Sequence, residues 1–260
     1  ELNKFKLNNE SDSNYNTVFR WLCDALYLMN IEYDVIPADP ALFASYENIL
    51  VPALYSATDE VLNALNEFVA NGGNMVVTFK SAFSDEHLKI RHDVQPYIIN
   101  KALGIQYDEF TLPDDVTVSC GGKSSKARDW MEMGDCPPAT PVAMYEHKHW
   151  GVHAAITENT YGKGRAMYLA TLFGEDTLIE ALKLFFGEQK NEFDASYPVV
   201  IKRGTNMQGE KIIYLLNYSD DEQTVTCHAD GLKKLCDDST VSAGDCIALA
   251  PWDFSILYAD

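Results

Sequence analysis

Three histidines have the spacing that metal ligands on one strand would need. His147, His149 and His153 share the same parity in the chain, so their side chains would project from one face if a single strand held them all. Trp150-Gly151 interrupts that stretch. We therefore expect surface or hydrogen-bonded histidines and no bound metal, with metal binding as the alternative.

A segment of mixed charge follows an apolar strand predicted over 75–79. It begins with Ser84-Asp85-Glu86-His87 and continues to Asp93. Open α/β sheets bind ligands at the carboxyl ends of their strands, and an acid/base pair could be drawn from this segment. A solvated loop and a polar contact to a neighbouring subunit are equally compatible with the residue types.

Three further motifs could carry chemistry, and each can also be accounted for by ordinary structure. Gly162-Lys163-Gly164 lacks the rest of a phosphate-binding loop and does not open a helix, so we predict a hairpin turn. Cys120 lies at a strand end but has no histidine in its motif, which argues against a nucleophile. Trp252 could stack on a sugar ring, although we expect a core or interdomain residue.

Composition excludes two classes of partner. The chain has 260 residues and a net charge of −19, whereas nucleic acids and anionic membranes are bound through lysine and arginine. No apolar run approaches the roughly 20 residues that span a bilayer. The six cysteines contain no Cys-x-x-Cys pair, so we expect reduced, structural thiols. Cys23 and Cys246 should behave as small apolar side chains. Because the chain opens at Glu1 without a methionine, we expect an excised piece.

The elements that must position these residues alternate between helix and strand in the first part of the chain. Apolar periodicity and capping residues predict an open α/β sheet. In chain order we predict a helix over 15–29, strands over 32–36 and 48–51, a helix capped by Thr58, a strand over 75–79, a helix over 96–103, strands over 105–110, 116–119, 142–145, 153–157 and 165–170, and a helix over 176–186.

The period changes to two after residue 197, and turn residues separate the apolar runs at regular spacing. This pattern is typical of a small antiparallel β-domain. We therefore expect two domains, an α/β domain over 1–190 and a β-domain over 196–260.

Several segments together resemble the trimerisation domain of glycoside hydrolase family 42 β-galactosidases. The similarity begins in Val18–Ala53, VFRWLCDALYLMNIEYDVIPADPALFASYENILVPA, and continues through Gly72-Gly73, the loop Phe79–Glu86 and the run Gln95–Gly104. Ala127-Arg128-Asp129-Trp130-Met131-Glu132 looks like the family's Ala-x-x-Trp-x-Glu segment, and the hairpin Ala154–Thr171 is also similar. The order and spacing of these matches carry the resemblance, which covers essentially the whole chain.

The resemblance implies a flavodoxin-like or class I glutamine amidotransferase-like open sheet followed by a small all-β domain. It implies the non-catalytic part of a cytoplasmic enzyme that hydrolyses terminal β-D-galactosyl residues, with no cofactor and no metal. The family's catalytic glutamates lie on an N-terminal barrel, so no catalytic residue is carried over to this chain. Implied partners are two further copies in a homotrimer and the barrel itself, and galactoside would bind only to the parent enzyme. The alternatives are an amidotransferase-like hydrolase that uses Cys120 and a galactoside-binding module.

We expect the subunit contacts on the α/β domain. Residues 80–135 form long segments that carry aromatic residues and methionines, and apolar clusters on long loops commonly mark interfaces. The exposed apolar residues expected there are Phe83, Tyr97, Phe110, Trp130, Met131 and Met133. The predicted interface residues are Phe83, Asp85, Glu86, His87, Trp130 and Met131.

Overall fold

The computed structural model describes residues 13–187 and 191–259. These residues divide into two compact units. The first contains residues 13–23 and 35–185, and the second contains 24–34 together with the described residues from 186 onward. In the described part of the chain, no helix is long and apolar enough to cross a membrane.

The first unit is built on a seven-stranded mixed sheet with the order β1-β2-β9-β8-β7-β4-β5. Its strands are β1 (Asn48–Val51), β2 (Asn74–Thr78), β4 (Thr117–Cys120), β5 (Lys123–Lys126), β7 (Thr140–Glu146), β8 (Ala154–Tyr161) and β9 (Gly164–Leu169). The β1–β2 and β2–β9 pairs are parallel, with Ile49 opposite Met75 and Val76 opposite Met167, and the remaining pairs are antiparallel. β2 lies between β1 and β9 and is buried from Met75 to Thr78, as its apolar sequence predicts.

A second sheet of three strands belongs to the same unit. It has the order β10-β6-β3, formed by β3 (Gln106–Thr111), β6 (Arg128–Asp135) and β10 (Thr171–Leu172). The sequence did not predict β6, because its centre, Met131-Glu132-Met133, is buried at three consecutive positions. A half-solvated strand would instead alternate buried and exposed residues.

Four of the five helices that the structure describes form where capping and periodicity predicted them, and the one over Pro40–Phe43 was not predicted. They are α1 (Tyr15–Leu28), α2 (Pro40–Phe43), α3 (Asp59–Ala70), α4 (Asn100–Leu103) and α5 (Glu175–Phe186). The Thr58 hydroxyl accepts a hydrogen bond from the Val61 N–H, as expected of an N-cap. α4 is shorter than predicted, and Gly104 ends it in the left-handed conformation.

The second unit is an antiparallel β structure with two sheets, in the orders β11-β14-β17 and β12-β13-β18-β15-β16. Its strands are β11 (Phe193–Asp194), β12 (Val199–Thr205), β13 (Lys211–Asn217), β14 (Gln223–Cys227), β15 (Leu232–Lys234), β16 (Thr240–Val241), β17 (Cys246–Leu249) and β18 (Phe254–Ala259). Alternate residues of both sheets form its buried core, which includes Ile213, Leu215, Val225, Ile247 and Leu257. The predicted fold class, an α/β part followed by an all-β part, is confirmed.

Two predictions about local structure are wrong. The described chain has no strand over 32–36, and Val35 is 67% exposed there. Residues 32–34 instead belong to the second unit. Just before them, the Asn30 side-chain amide donates to the Val199 carbonyl oxygen at 3.2 Å. Cys246 lies in a strand as predicted, but its side chain faces solvent because it occupies an outward position of β17. None of the six cysteines, all of which lie among the described residues, is in a disulfide.

Candidate functional site

The strongest candidate site of the first unit lies where the parallel strands β1 and β2 end. The loops after these strands interlock: the Ala53 N–H donates to the Thr78 hydroxyl at 2.7 Å, and the Leu54 N–H donates to the Ser81 hydroxyl at 3.1 Å. Lys80 and Ala82 have positive φ angles of 59° and 57°. Such angles are costly for residues with a side chain, and they persist only where the surrounding structure holds them.

Glu132 on β6 is the buried carboxylate of this site. Its Oε1 accepts the Lys80 backbone N–H at 2.9 Å and the Trp130 indole N–H at 3.0 Å, and its Oε2 accepts the Tyr168 hydroxyl. Burial raises the pKa of Glu132, while the hydrogen bonds from Tyr168, Lys80 and Trp130 oppose that rise. A carboxylate with three donors is held in place and is shielded from solvent.

Lys80 supplies the opposite charge. Its side chain is buried, and its ammonium group lies 3.9 Å from the centre of the Trp130 ring. Burial lowers the pKa of Lys80 to about 8, although the charge of Glu132 opposes the change. Lys80 and Glu132 therefore lie close together between the end of β2 and the second sheet, joined by the hydrogen bond from the Lys80 backbone N–H.

A row of aromatic rings leads outward from this pair. The centres of Trp130 and Phe110 are 4.3 Å apart, those of Phe110 and Phe83 are 5.8 Å apart, and those of Phe83 and Tyr55 are 5.3 Å apart. Phe110 is 44% exposed. We call these four residues the aromatic row; it combines three half-buried rings, of which Trp130 is hydrogen-bonded to Glu132, with one exposed ring.

The loop 84–95 extends the apolar surface beside the aromatic row. The Arg91 N–H donates to the Phe83 carbonyl oxygen at 3.0 Å, and Ser84 forms a bridge with Ile90. Leu88 is 61% exposed. Other exposed apolar residues of this loop and of the adjacent β3 end are Ile90, Val94 and Leu112. We call the aromatic row and these four residues the apolar face.

Asp85 shapes the loop that carries part of the apolar face. Its Oδ1 accepts the N–H groups of His87 and Lys89, each at 2.9 Å. The hydrogen bond from Lys89 is the main reason why the pKa of Asp85 is lowered. Glu86 and His87 are exposed, with their side chains 3.9 Å apart. Of the predicted interface residues, the structure thus places Phe83, Asp85, Glu86, His87 and Trp130 on or beside one face.

The methionines were expected to be exposed, and this expectation is wrong. Met131 and Met133 are buried on β6. They lie on a strand inside a sheet, whereas the sequence pattern indicates an irregular surface segment. Met131 therefore packs inside the chain, and its side chain is not part of the apolar face.

The three histidines do not share one strand. β7 ends at Glu146, and the His147 Nδ1 accepts the N–H groups of His149 and Trp150 at 3.2 Å and 3.4 Å in the turn that follows. Among the residues that the structure describes, no three histidines, cysteines or acids are grouped as metal ligands. The shared parity of the three histidines does not place them on one face, because Trp150-Gly151 lies in the turn and not in a strand.

Cys120 and the Gly162-Lys163-Gly164 motif have structural roles. Burial raises the pKa of the Cys120 thiol, and Glu180 adds to the rise, so the thiolate needed for nucleophilic attack is disfavoured. Gly162 and Lys163 form the β8–β9 hairpin turn, as predicted. A Cβ on Gly162 would come within 2.5 Å of the Ala70 carbonyl oxygen, which explains the glycine.

Lys80 and Glu132 are not among the predicted site residues, although Glu132 ends the Ala-x-x-Trp-x-Glu segment of the resemblance. Both are buried, whereas charged residues usually lie at solvated positions. A usable signal was the position of Lys80, directly after Phe79 at the end of the mainly apolar strand predicted over 75–79. Chemically, the site holds a carboxylate with all its donors in place, which is suited to fixing loops and not to transferring protons.

The fold and the site define an α/β unit with a rigid, apolar face, joined in the chain to a β unit. The family model of the β-galactosidase trimerisation domain matches residues 3–192. The chain therefore belongs to the β-galactosidase trimerisation domain family, and the resemblance seen in the sequence is confirmed.

Related sequences are longer than this chain. β-Galactosidase BgaA of Planococcus sp. (strain 'SOS Orange') is 27% identical over 229 residues, which cover 84% of this chain and 34% of that protein. β-Galactosidase LacZ of Heyndrickxia coagulans is 28% identical over 204 residues, which cover 77% of this chain and 30% of that protein. The chain thus spans about a third of the length of these curated relatives.

Solved structures show the same fold over nearly the whole chain. The β-galactosidase from Bacillus circulans sp. alkalophilus superposes with a TM-score of 0.85 at 21% identity, covering 97% of this chain and 39% of that one. The cold-adapted β-galactosidase from Rahnella sp. R3 superposes with a TM-score of 0.81 at 24% identity, covering 96% and 37%.

Proposed function

We propose that this chain is the non-catalytic assembly part of a cytoplasmic β-galactosidase. In this proposal a flavodoxin-like α/β domain over 1–190 joins three copies into a homotrimer, and a small β-domain over 196–260 follows it. The observation that carries the proposal is the match of a trimerisation-domain model to residues 3–192, together with an exposed apolar face within that range.

The apolar face has the properties of a subunit contact. Aromatic residues dominate the binding energy of many interfaces, particularly when their neighbours hold them rigidly. Here Phe110 is exposed, while Trp130 behind it is fixed by its hydrogen bond to Glu132 and by its contact with Lys80. Each chain carries a net charge of −19, so a stable contact must outweigh repulsion, and we expect it to bury at least about 1,000 Å² in total.

Hydrolysis of terminal β-D-galactosyl bonds is proposed for the longer protein to which such a chain belongs. Glycosidases of this kind need two carboxyl groups that flank the bond in one pocket. Glu132 is buried and saturated with donors, so it is unsuited to that role. The relatives carry about two thirds of their length outside the matched region, and we propose that a catalytic barrel there is the intramolecular partner. Cysteines that form no disulfide support the proposed cytoplasmic location.

The test is a charged substitution on the apolar face. We expect Phe110→Asp to convert a trimer into monomers, because an aspartate would have to be desolvated at the contact. Trp130→Asp is a poorer choice, since Trp130 also contacts Lys80 and Glu132 inside the unit. Leu184→Asp on α5 is the matched control, because Leu184 is 59% exposed and lies outside the apolar face.

Light scattering on the unaltered chain and on the Phe110→Asp, Leu184→Asp and Phe254→Asp variants measures the result, and circular dichroism checks that each is folded. The proposal requires that Phe110→Asp alone dissociates the assembly. An assembly that survives this change but dissociates with Phe254→Asp would assign the contact to the second unit and contradict the proposal.

A further inference from the structure

The second unit carries an exposed cluster of aromatic side chains that the proposed assembly function does not use. Trp252 is 63% and Phe254 59% exposed, and Tyr197 and Tyr218 are also exposed. We call these four residues the aromatic edge. Trp252 is thus not a core residue, contrary to the expectation from the sequence. Large aromatic rings usually bury most of their surface, so four exposed rings on a small unit indicate a surface with a function.

Backbone contacts bring the four residues together at one end of the larger sheet. The Tyr218 N–H donates to the Pro198 carbonyl oxygen at 3.0 Å, next to Tyr197, and the Trp252 N–H donates to the Ser219 carbonyl oxygen at 3.1 Å, next to Tyr218. Phe254 pairs with Leu216 in the β13–β18 register. The hydroxyls of Tyr218 and Tyr197 are close enough to Tyr27 to add to the rise in its pKa, which is caused mainly by burial.

A buried asparagine holds the two turns of the aromatic edge in place. The Asn217 Nδ2 donates to the carbonyl oxygens of Asp221 at 2.8 Å and Ala250 at 2.9 Å, and its Oδ1 accepts the Ser219 hydroxyl at 2.7 Å. Asn217 thereby ties the turn after β13 to the turn before β18. Both turns are rigid because the side chain that joins them is buried.

The indole ring of Trp252 is also fixed, although it faces solvent. Its Nε1 donates to the Asp220 Oδ1 at 2.7 Å, and its backbone has a positive φ of 58°. A rigid aromatic ring loses little conformational entropy when a ligand covers it. The structure therefore presents an ordered indole ring to solvent.

The charges around the aromatic edge restrict what can bind. Asp220, Asp221 and Glu222 are acidic residues beside it, so anionic ligands are repelled, while their carboxylate oxygens can accept hydrogen bonds from hydroxyl groups. A neutral sugar ring has apolar C–H faces that stack on aromatic rings and hydroxyl groups at its rim. We propose that the aromatic edge binds a neutral pyranose oligosaccharide. This inference does not depend on assembly, because it uses only residues of the second unit.

The indole N–H signals in nuclear magnetic resonance spectra of the intact chain provide the test. The chain has four tryptophans, and a Trp252→Phe variant assigns the signal of Trp252. Lactose and cellobiose are the probes, and sorbitol is the matched control because it has hydroxyl groups but no ring. We expect the disaccharides to shift the Trp252 signal with a Kd on the order of 1 mM, leaving the other three signals unmoved. Sorbitol should shift none of them.

Single substitutions locate the binding on the aromatic edge. Disaccharide binding should weaken by about tenfold or more, corresponding to roughly 1.4 kcal/mol, in the Trp252→Ala variant and in the Tyr218→Ala variant. Calorimetry measures the binding to Trp252→Ala, which lacks the indole signal. Phe110→Ala, an exposed aromatic position of the first unit, should leave it unchanged. The proposal is overturned if 50 mM disaccharide, a concentration of about 50 times the expected Kd, leaves the Trp252 signal unmoved. It is also overturned if that signal responds to protein concentration and not to sugar, since the edge would then be a protein contact.

Discussion

At the scale of single residues, the buried Lys80–Glu132 pair connects the end of β2 to the second sheet of the first unit. The Lys80 backbone N–H and the Trp130 indole both donate to Glu132, and the Lys80 ammonium contacts the Trp130 ring. The aromatic row therefore rests on Lys80 and Glu132. The three hydrogen bonds to Glu132 come from the Lys80 backbone N–H, Trp130 and Tyr168, so a change of the Lys80 side chain leaves them in place.

Lys80→Met should destabilise the chain by about 1 kcal/mol at pH 7, since it removes the cation over the Trp130 ring and the positive charge near Glu132. The loss should shrink on acidification. The pKa of Glu132 is raised in the folded chain above its ordinary value of 4.5. The stability that the protonated carboxyl group contributes is therefore fully present below pH 4.5 and is lost as the pH rises through the folded-state pKa. At low pH Glu132 is neutral, so the loss of the Lys80 charge matters less. Chemical denaturation at pH 4 and pH 7 measures the difference.

Lys89→Met is the control, because Lys89 is exposed and should change stability by less than about 0.5 kcal/mol. A Lys80→Met variant that loses equal stability at both pH values would show that the charges of Lys80 and Glu132 are not coupled.

The residues of the site were only partly predictable. Phe83 and Trp130 were chosen because aromatic residues on long segments often mark contacts, and both lie in the aromatic row. Lys80 and Glu132 were missed because their burial depends on partners about 50 positions apart in the chain, as the Lys80–Glu132 hydrogen bond shows. Sequence periodicity reports only on neighbours within a few turns or strand positions.

At the scale of elements, short-range sequence signals were sufficient to predict a helix or strand where a capping residue or a mainly apolar run marked it. α1, α3, β1, β2, the β8–β9 hairpin and α5 lie where the sequence predicted them. Glu32–Ile36 has strand-like residue types but does not form a strand. The turn before it is fixed to β12, because Asn30 forms hydrogen bonds with Val199 and Ile201. β6 was missed because its three consecutive buried residues conceal the period of a strand.

Asn30 provides a prediction at this scale. Its Nδ2 donates to the Ala195 and Val199 carbonyl oxygens at 3.2 Å each, and its Oδ1 accepts the Ile201 N–H at 2.9 Å. Its φ of 55° also suits asparagine better than alanine. Asn30→Ala should therefore cost about 2–3 kcal/mol through unsatisfied buried groups and backbone strain.

Thermal unfolding followed by circular dichroism checks this prediction, with Asn63→Ala as the control at an exposed position of α3. An unchanged melting temperature for Asn30→Ala would mean that residues 24–34 are not tied to the second unit in the way described.

At the scale of the whole molecule, the net charge of −19 per chain opposes association. Salt screens repulsion between exposed charges, with a Debye length of about 30 Å at 0.01 M and about 10 Å at 0.1 M. The trimer should therefore dissociate more readily at low ionic strength. Sedimentation velocity across this salt range checks the direction, and an assembly that weakens as salt is added would indicate contacts dominated by ion pairs.

The chain by itself should not hydrolyse nitrophenyl β-galactoside. The buried carboxylate of the first unit, Glu132, is held by three donors, whereas the reaction needs two carboxyl groups beside the substrate. The assay is release of nitrophenol by the purified chain. Turnover that survives repurification and disappears in a Glu132→Gln variant would show that the chain is catalytic.

The most direct test of the central claim, self-assembly through the first unit, is the molar mass of the intact chain in solution. Multi-angle light scattering at moderate salt should give three times the chain mass of 29.1 kDa, roughly 87 kDa. A mass of 29.1 kDa at every concentration would contradict the claim that this chain contains the surface on which the trimer is built.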